Sequence, residues 1–199
     1  MDVIQETIAA LKNRGVEAQL VGTGSEALAW IKKTIPAGAS VMTGASMTLR
    51  EIGFEDLLKS KDHPWKNLKE RIFEEKDPAR QTALRKESAL ADWYLGSAHA
   101  VTRSGEVLIA SATGSQLAAY AYTSSHVVWI VGAQKIVKNV DEGITRIREH
   151  IMPHEEVRMR EMTGGKFGTQ LGKLLIFHRE SALAPRSVSL VFVNRKVGD

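Results

Sequence analysis

Thr43-Gly44-Ala45-Ser46-Met47-Thr48 joins a short apolar stretch to the start of a helical pattern, with small and hydroxyl-bearing residues at the junction. Small residues let a backbone approach a ligand closely. The first amides of a helix lack intrahelical partners and sit at the end of the dipole that favours an anion. Gly44, Ser46 and Thr48 are therefore candidates to hold a phosphate or carboxylate; the plain alternative is a strand–turn–helix joint with Thr48 as an ordinary cap. Ala112-Thr113-Gly114-Ser115 repeats the arrangement before a second helix, which would let two helix starts face one cleft, unless Gly114 only ends a strand. Gly22-Thr23-Gly24-Ser25-Glu26-Ala27 fits a dinucleotide-binding fingerprint, but the acidic residue needed about 20 positions on is missing from Val41-Met42-Thr43-Gly44. Gly172-Lys173 is followed by leucine where a phosphate loop requires serine or threonine, so the preceding glycine-rich segment reads as a flexible or ligand-covering loop.

His99 lies on a predicted strand beside a hairpin, where it is either a structural histidine or a general base. Asp92 is likewise a cleft carboxylate or a helix-end hydrogen-bonding group. His150 and His154 are four apart, but Pro153 between them interrupts the helix that would align them, so no metal site is expected. No serine–histidine–acid triad can be read from the spacing.

Length and composition narrow the classes. At 199 residues, 43% apolar and 25% charged, the chain reads as one ordinary globular domain over residues 1–199. The net charge of +4 is small and its signs are interspersed, so no nucleic-acid partner is expected. There is no cysteine, which removes thiolate zinc sites, cysteine-held clusters and a cysteine nucleophile from this chain. The beginning has neither a basic region nor a continuous apolar stretch, and runs such as Val127 to Val131 fall far short of the ~20 residues of a membrane span. Membrane binding is not expected, and cytoplasm is the simplest location.

The candidate residues need elements to hold them. Val3, Ile4, Ile8 and Leu11 predict a helix stopped at Gly15; Val16, Ala18 and Leu20 a strand; Leu28, Trp30 and Ile31 a helix capped by Ser25. Ser40 to Thr43 is a strand, and Thr48-Leu49-Arg50-Glu51 has the form of a capping box. Residues 54–95 read as a helical insertion, with Asp77-Pro78 opening a helix whose buried face carries Leu84, Ala91 and Leu95. Ala98 to Thr102 and Val107 to Ser111 form a hairpin, Gln116 to Tyr122 a short helix, and Val127 to Val131 a strand buried on both faces. A helix from Asp141 carries Ile144, Ile147 and Ile151 and is stopped by Pro153; strands at Leu174 to Phe177 and Val188 to Val193 follow. Alternating strands and helices predict an α/β fold with a largely parallel sheet.

Four ordered blocks carry a family resemblance. Gly44-Ala45-Ser46-Met47-Thr48-Leu49-Arg50-Glu51-Ile52-Gly53 resembles the G-x-S-x-T-L-x-E-x-G segment of the LUD-domain, or lactate-utilisation, family. Asp92 with Ser97 to Thr102 and Gly105, then Ala112 to Gln116, then Val131 to Val137 before the Asp141 helix, continue it. The resemblance implies the three-layer, Rossmann-like sheet of ribose-phosphate isomerase, glucosamine-phosphate deaminase and the CoA transferases. It makes Gly44, Ser46, Thr48, Thr102, Thr113, Gly114 and Ser115 the preferred ligand-binding residues; Lys135 matches a family lysine and is either the group that neutralises an anion or a surface lysine. His99, Ser115 and Gln116 replace the asparagines and arginine of many relatives, and Gly164 to Leu183 lacks the cysteine cluster some carry.

The expectation is a protein that binds a small carboxylate or phosphate as an accessory component of lactate or 2-hydroxy-acid utilisation. It needs no cofactor of its own, and iron–sulfur partners hold the redox centres. The alternative is a free-standing enzyme of sugar-phosphate isomerase or acyl/CoA-transfer type, with His99 or Asp92 moving the proton. A homodimer is a reasonable default, but no exposed apolar stripe in the sequence establishes it.

Overall fold

The computed structural model describes residues 2–199. In chain order the elements begin with α1 (Val3–Lys12), β1 (Glu17–Val21), α2 (Gly24–Thr34), β2 (Ser40–Thr43), α3 (Met47–Glu51) and α4 (Phe54–Ser60). They continue with β3 (Lys66–Asn67), α5 (Leu68–Glu74), α6 (Pro78–Glu87), β4 (Trp93–Gly96), β5 (Ala100–Thr102) and β6 (Val107–Ser111). The last are β7 (His126–Gly132), β8 (Ile136–Val137), α7 (Val140–Arg146), α8 (Met152–Thr163), β9 (Lys173–Phe177) and β10 (Ser187–Val193).

Local chemistry fixes several of these ends. Asp2 caps α1 by accepting the Ile4 N–H, and Asp77 accepts from Ala79 and Arg80 ahead of Pro78 in α6. Helix α2 starts two residues earlier than a Ser25 cap would place it, behind Thr23. Thr23 accepts the Glu26 N–H while the Glu26 carboxylate accepts from Gly22, a reciprocal capping pair. That carboxylate covers the turn where a dinucleotide phosphate would sit. Gly24 is needed for packing, because a Cβ there would lie 3.0 Å from Ile52.

Six strands form a parallel sheet in the order β1-β10-β7-β4-β2-β3. Side chains alternate along its central strands. Val127, Trp129 and Val131 pack into one core cluster with Ile8, Leu11, Ile72 and Leu84, whereas Val128 and Ile130 pack into another with Ala27, Ile31, Leu49 and Phe54. Thus α1, α5 and α6 cover one face and α2, α3 and α4 the other, a three-layer Rossmann-like α/β architecture.

The late strands depart from the expected single sheet. A smaller sheet in the order β8-β5-β6-β9 is mixed, with β5 and β8 parallel and the other pairs antiparallel. Val107 and Ile109 face the large sheet, while Leu108 and Ala110 face Ile147 beyond α7. The predicted insertion at 54–95 is also shorter than its expected bounds. Its helices form the connection from β2 to β4, and Trp93 to Leu95 already belong to a central strand buried on both faces. Leu84 does face the core from α6, but Leu95 does so from β4.

Pro153 does not stop the Asp141 helix. A π-turn at Ile147–Ile151 joins α7 to α8, and Pro153 sits in the first turn of α8. The wider turn tolerates the missing proline N–H, and the chain stays helical to Thr163. As a result His150 and His154 meet after all, with ring centroids 4.5 Å apart. No helix of the described residues is long and apolar enough to cross a membrane.

Candidate functional site

In a parallel sheet, every strand of a given direction ends on the same side, where ligands of open α/β folds gather. Here β2 ends at Thr43, β4 at Gly96 and β7 at Gly132, with Thr43 beside Leu95 and Gly96 beside Trp129. The residues just beyond those ends converge. Lys135 Nζ donates to Thr48 Oγ1 at 3.2 Å and to Ser97 Oγ at 3.5 Å, and Thr48 Oγ1 donates to Ser97 Oγ at 3.1 Å. Lys135 is only 3% exposed and Thr48 1%. Burial, followed by the charge of Arg146, lowers the Lys135 pKa to about 8, while Asp199 and Glu51 pull it up.

Arg146, the last residue of α7, completes the positive cluster. Its Nε donates to the His99 carbonyl at 3.0 Å, and its Nη2 is buried with no hydrogen-bond partner. His99 itself accepts the Ala110 N–H on Nδ1 at 3.1 Å, which leaves the neutral ring with its proton on Nε2. Burial, then the charges of Lys135 and Arg146, push its pKa down to about 4. His99 is a neutral donor at physiological pH, a poor fit to the general-base role, since its lone pair is already used.

This has a pH consequence. The unfolded histidine takes up its proton near 6.5 and the folded one near 4. Stability is therefore lost as pH falls through that window, because the unfolded state binds the proton first. Urea midpoints measured from pH 7 down to 4 are expected to fall more steeply for the native chain than for His99→Gln, whose amide oxygen can keep the Ala110 bond. Parallel curves would show that His99 does not contribute.

The other expected residues are dispersed. Asp92 precedes β4, at the opposite end of the sheet from Ser97, and accepts from the Ser40 N–H at 2.9 Å and the Ser40 hydroxyl at 2.8 Å. Those bonds lower its pKa. It ties two strand starts together and does not face His99. Ser46, not Thr48, caps α3, its Oγ accepting the Leu49 N–H at 3.2 Å. Helix α3 has only five residues, so the helix-dipole argument loses most of its force, and the donors here are side chains. Thr102 is turned away, its hydroxyl bonded to Glu106 and, at 3.1 Å, to Ser104 in the turn held by Arg14.

Gly44 does lie against the second glycine turn, where a Cβ would be 3.5 Å from Gln116. Within that turn Thr113 donates to Ser115 at 3.2 Å, and Gly114 donates its N–H to Ser111 at 2.8 Å. Lys173 covers it, since a Cβ on Gly114 would come 2.5 Å from the lysine chain. The Ser115 hydroxyl in turn donates to Gln116 Oε1 at 3.4 Å, so both hydroxyl protons are used within the turn.

Four residues of the cluster were not singled out by sequence reasoning. Ser97 lies in the second block of the family resemblance, and Arg146 on the helix after the last block. Gln134 lies beside Lys135 in the last block of the resemblance, and Glu51 carries the spacing of a capping-box acid, but neither position points to a contact with Lys135 or Thr48. A family model described as the LUD domain matches residues 4–170, a span that includes every member of the cluster. The chain belongs to the LUD-domain family. The crystal structure of a DUF162 family protein from Deinococcus radiodurans shares its fold, with a TM-score of 0.56 at 13% identity over 97% of each chain. No curated protein matches this LUD-domain chain.

Proposed function

We propose that this LUD-domain protein binds a small anionic metabolite, a carboxylate or a phosphate, beyond the ends of β2, β4 and β7. Its metabolic setting is lactate or other 2-hydroxy-acid utilisation, where it acts as an accessory component. One observation carries the anion reading. Lys135 is a buried ammonium whose only hydrogen-bond partners are two hydroxyls, with no carboxylate within ion-pair distance among the described residues. A desolvated cation costs several kcal/mol unless an anion answers it. A second cation, Arg146, points an unpartnered nitrogen into the protein close by.

The accessory role rests on the family's association with lactate utilisation and on the chain having no cysteine to hold a cluster. Redox chemistry would then sit in iron–sulfur or flavin partner proteins. A free-standing isomerase or acyl-transfer enzyme has less support, because Asp92 is remote and His99 has no free lone pair.

The test is a thermal-shift panel of L-lactate, glycolate, pyruvate, ribose 5-phosphate and acetyl-CoA. It uses the native chain and the double variant Thr48→Ala, Ser97→Ala. A ligand present at about 100 times its Kd adds ~2.7 kcal/mol, read as a rise of several degrees. One anion class is expected to raise the native Tm and leave the variant unmoved. An equal rise in both proteins would place binding elsewhere.

A further inference from the structure

After β10 the chain runs back across the site. Asn194, Arg195 and Lys196 are exposed, yet Gly198 is buried. The Gly198 N–H donates to Glu51 Oε2 at 2.7 Å, and Gln134 Nε2 donates to the carbonyls of Val197 at 3.0 Å and Gly198 at 3.1 Å. Gly198 has φ +64, and a Cβ there would come 2.2 Å from Thr48 Oγ1, 2.9 Å from Lys135 Nζ and 3.2 Å from the Thr48 nitrogen. A side chain at 198 is therefore excluded by both conformation and space. The spot where that Cβ would fall lies within reach of a hydroxyl, an ammonium and an amide at once. Asp199 follows, its carboxylate acting on Lys135, Arg146 and Arg158 and its Oδ1 3.6 Å from His154 Nδ1.

We propose that Val197–Asp199 is a displaceable strap that occupies the anion site in cis, and that a ligand binds by evicting it. The inference rests on the anion reading of the Lys135 cluster. The strap is held by side-chain hydrogen bonds from Glu51 and Gln134 and by no strand ladder. It also satisfies the site incompletely. Gln134 Oε1 and Arg146 Nη2 stay buried beside it without partners. Asp199 supplies a negative charge but makes no ion pair with Lys135, so a free carboxylate or phosphate able to touch Lys135 directly would replace it on better terms.

Gly198→Val in the full chain should expel the strap. The first readout needs no ligand: reductive methylation near pH 8, where Lys135 is part-deprotonated, followed by site-resolved mass spectrometry with exposed Lys138 as the internal reference. Lys135 is expected to react far more slowly than Lys138 in the native chain, and roughly tenfold faster once the strap no longer competes. The second readout is titration with inorganic phosphate and with L-lactate, where the apparent affinity for one of them should rise by a similar factor. Gln134→Ala, which removes two strap bonds without adding bulk, should move both readouts in the same direction and stands in if the valine variant fails to fold. Lys135 as reactive as Lys138 in the native chain, or unchanged in both variants, overturns the strap. Lys135 released in both variants with no response to either anion overturns the competition and the anion reading together, while still showing that residues 197–199 cover the lysine.

Discussion

Lys135→Met is expected to make the protein more stable at pH 7 and to abolish its response to anions. The folded lysine has its pKa lowered from 10.5 to about 8, chiefly by burial. Below pH 8 the ammonium is held in a place that disfavours it, at a cost of roughly 3 kcal/mol at the free-energy equivalent of one pKa unit. Methionine fills much the same volume without the charge. Part of the gain is offset because Thr48 and Ser97 lose a donor, although they keep each other at 3.1 Å, so a net gain of about 2 kcal/mol is expected. The sign has a pH signature. Between pH 8 and 10.5 the unfolded state binds the proton that the folded state has released, so native stability rises with pH across that window. The methionine variant should show no such rise, and its advantage should shrink toward alkaline pH. Denaturant midpoints at pH 7 and pH 10 for both proteins decide this. A native chain less stable at pH 10, or a variant destabilised at pH 7, would contradict a strained lysine. Retained anion binding in the variant would contradict its role as the counter-charge.

Trp129→Ala is expected to cost about 3–5 kcal/mol, the range for removing a large aromatic from a core, and on the order of 10 °C in Tm for a chain of this length. Trp129 is fully buried in the middle of β7. Its ring stands edge-on to Phe177 at 5.2 Å and to Tyr120 at 5.7 Å. Phe177 belongs to β9, so this contact joins the large sheet to the small one. Trp129→Phe makes a useful contrast. It keeps a ring at the junction and removes an indole N–H that is buried with no acceptor. Its expected cost is under about 1.5 kcal/mol, as for other near-conservative core exchanges. Equal losses for alanine and phenylalanine would place the importance of Trp129 in something other than the packed junction.

The parts of the fold set by short-range chemistry could be read from the chain. Asp77-Pro78 opens a helix because its side chain and missing N–H act within one turn, and Val127 to Val131 announces a strand buried on both faces by having no polar side at all. Parallel order also followed from the alternation of elements. What could not be read depends on distance. Lys135, Thr48 and Ser97 are separated by up to 87 positions, and only the register of three strand ends brings them together. Family resemblance pointed to Thr48 and Lys135; Ser97 and Gln134 lie in the same family blocks without a role being assigned to them, and Arg146 gave no local sign. Asp92 and Ser46 show the converse. Each has the chemistry of a ligand-binding group, yet Ser46 is committed to the backbone of its own helix start and Asp92 to the N–H and hydroxyl of Ser40, 52 positions away on the neighbouring strand. Pro153 misled because proline is a helix breaker in an α register but not at the start of a new segment behind a π-turn. The division into two sheets was hidden because the residues of β5, β6 and β9 alternate for two cores at once.

Lys135 stands in the short turn Ala133–Lys135, three residues after the large sheet releases the chain and one before the small sheet takes it up. Thr48 and Ser97 are anchored beyond β2 and β4 of the large sheet, and Arg146 on the helix that packs against the small one. A molecule gripped by all four is therefore a clasp across a seam. Its presence would be registered mechanically, as stiffening between two halves that otherwise meet through side-chain packing and, at the far turn, through Arg14 with Ser104 and Glu106, and amide exchange along β8 and β5 is where that stiffening would first be felt.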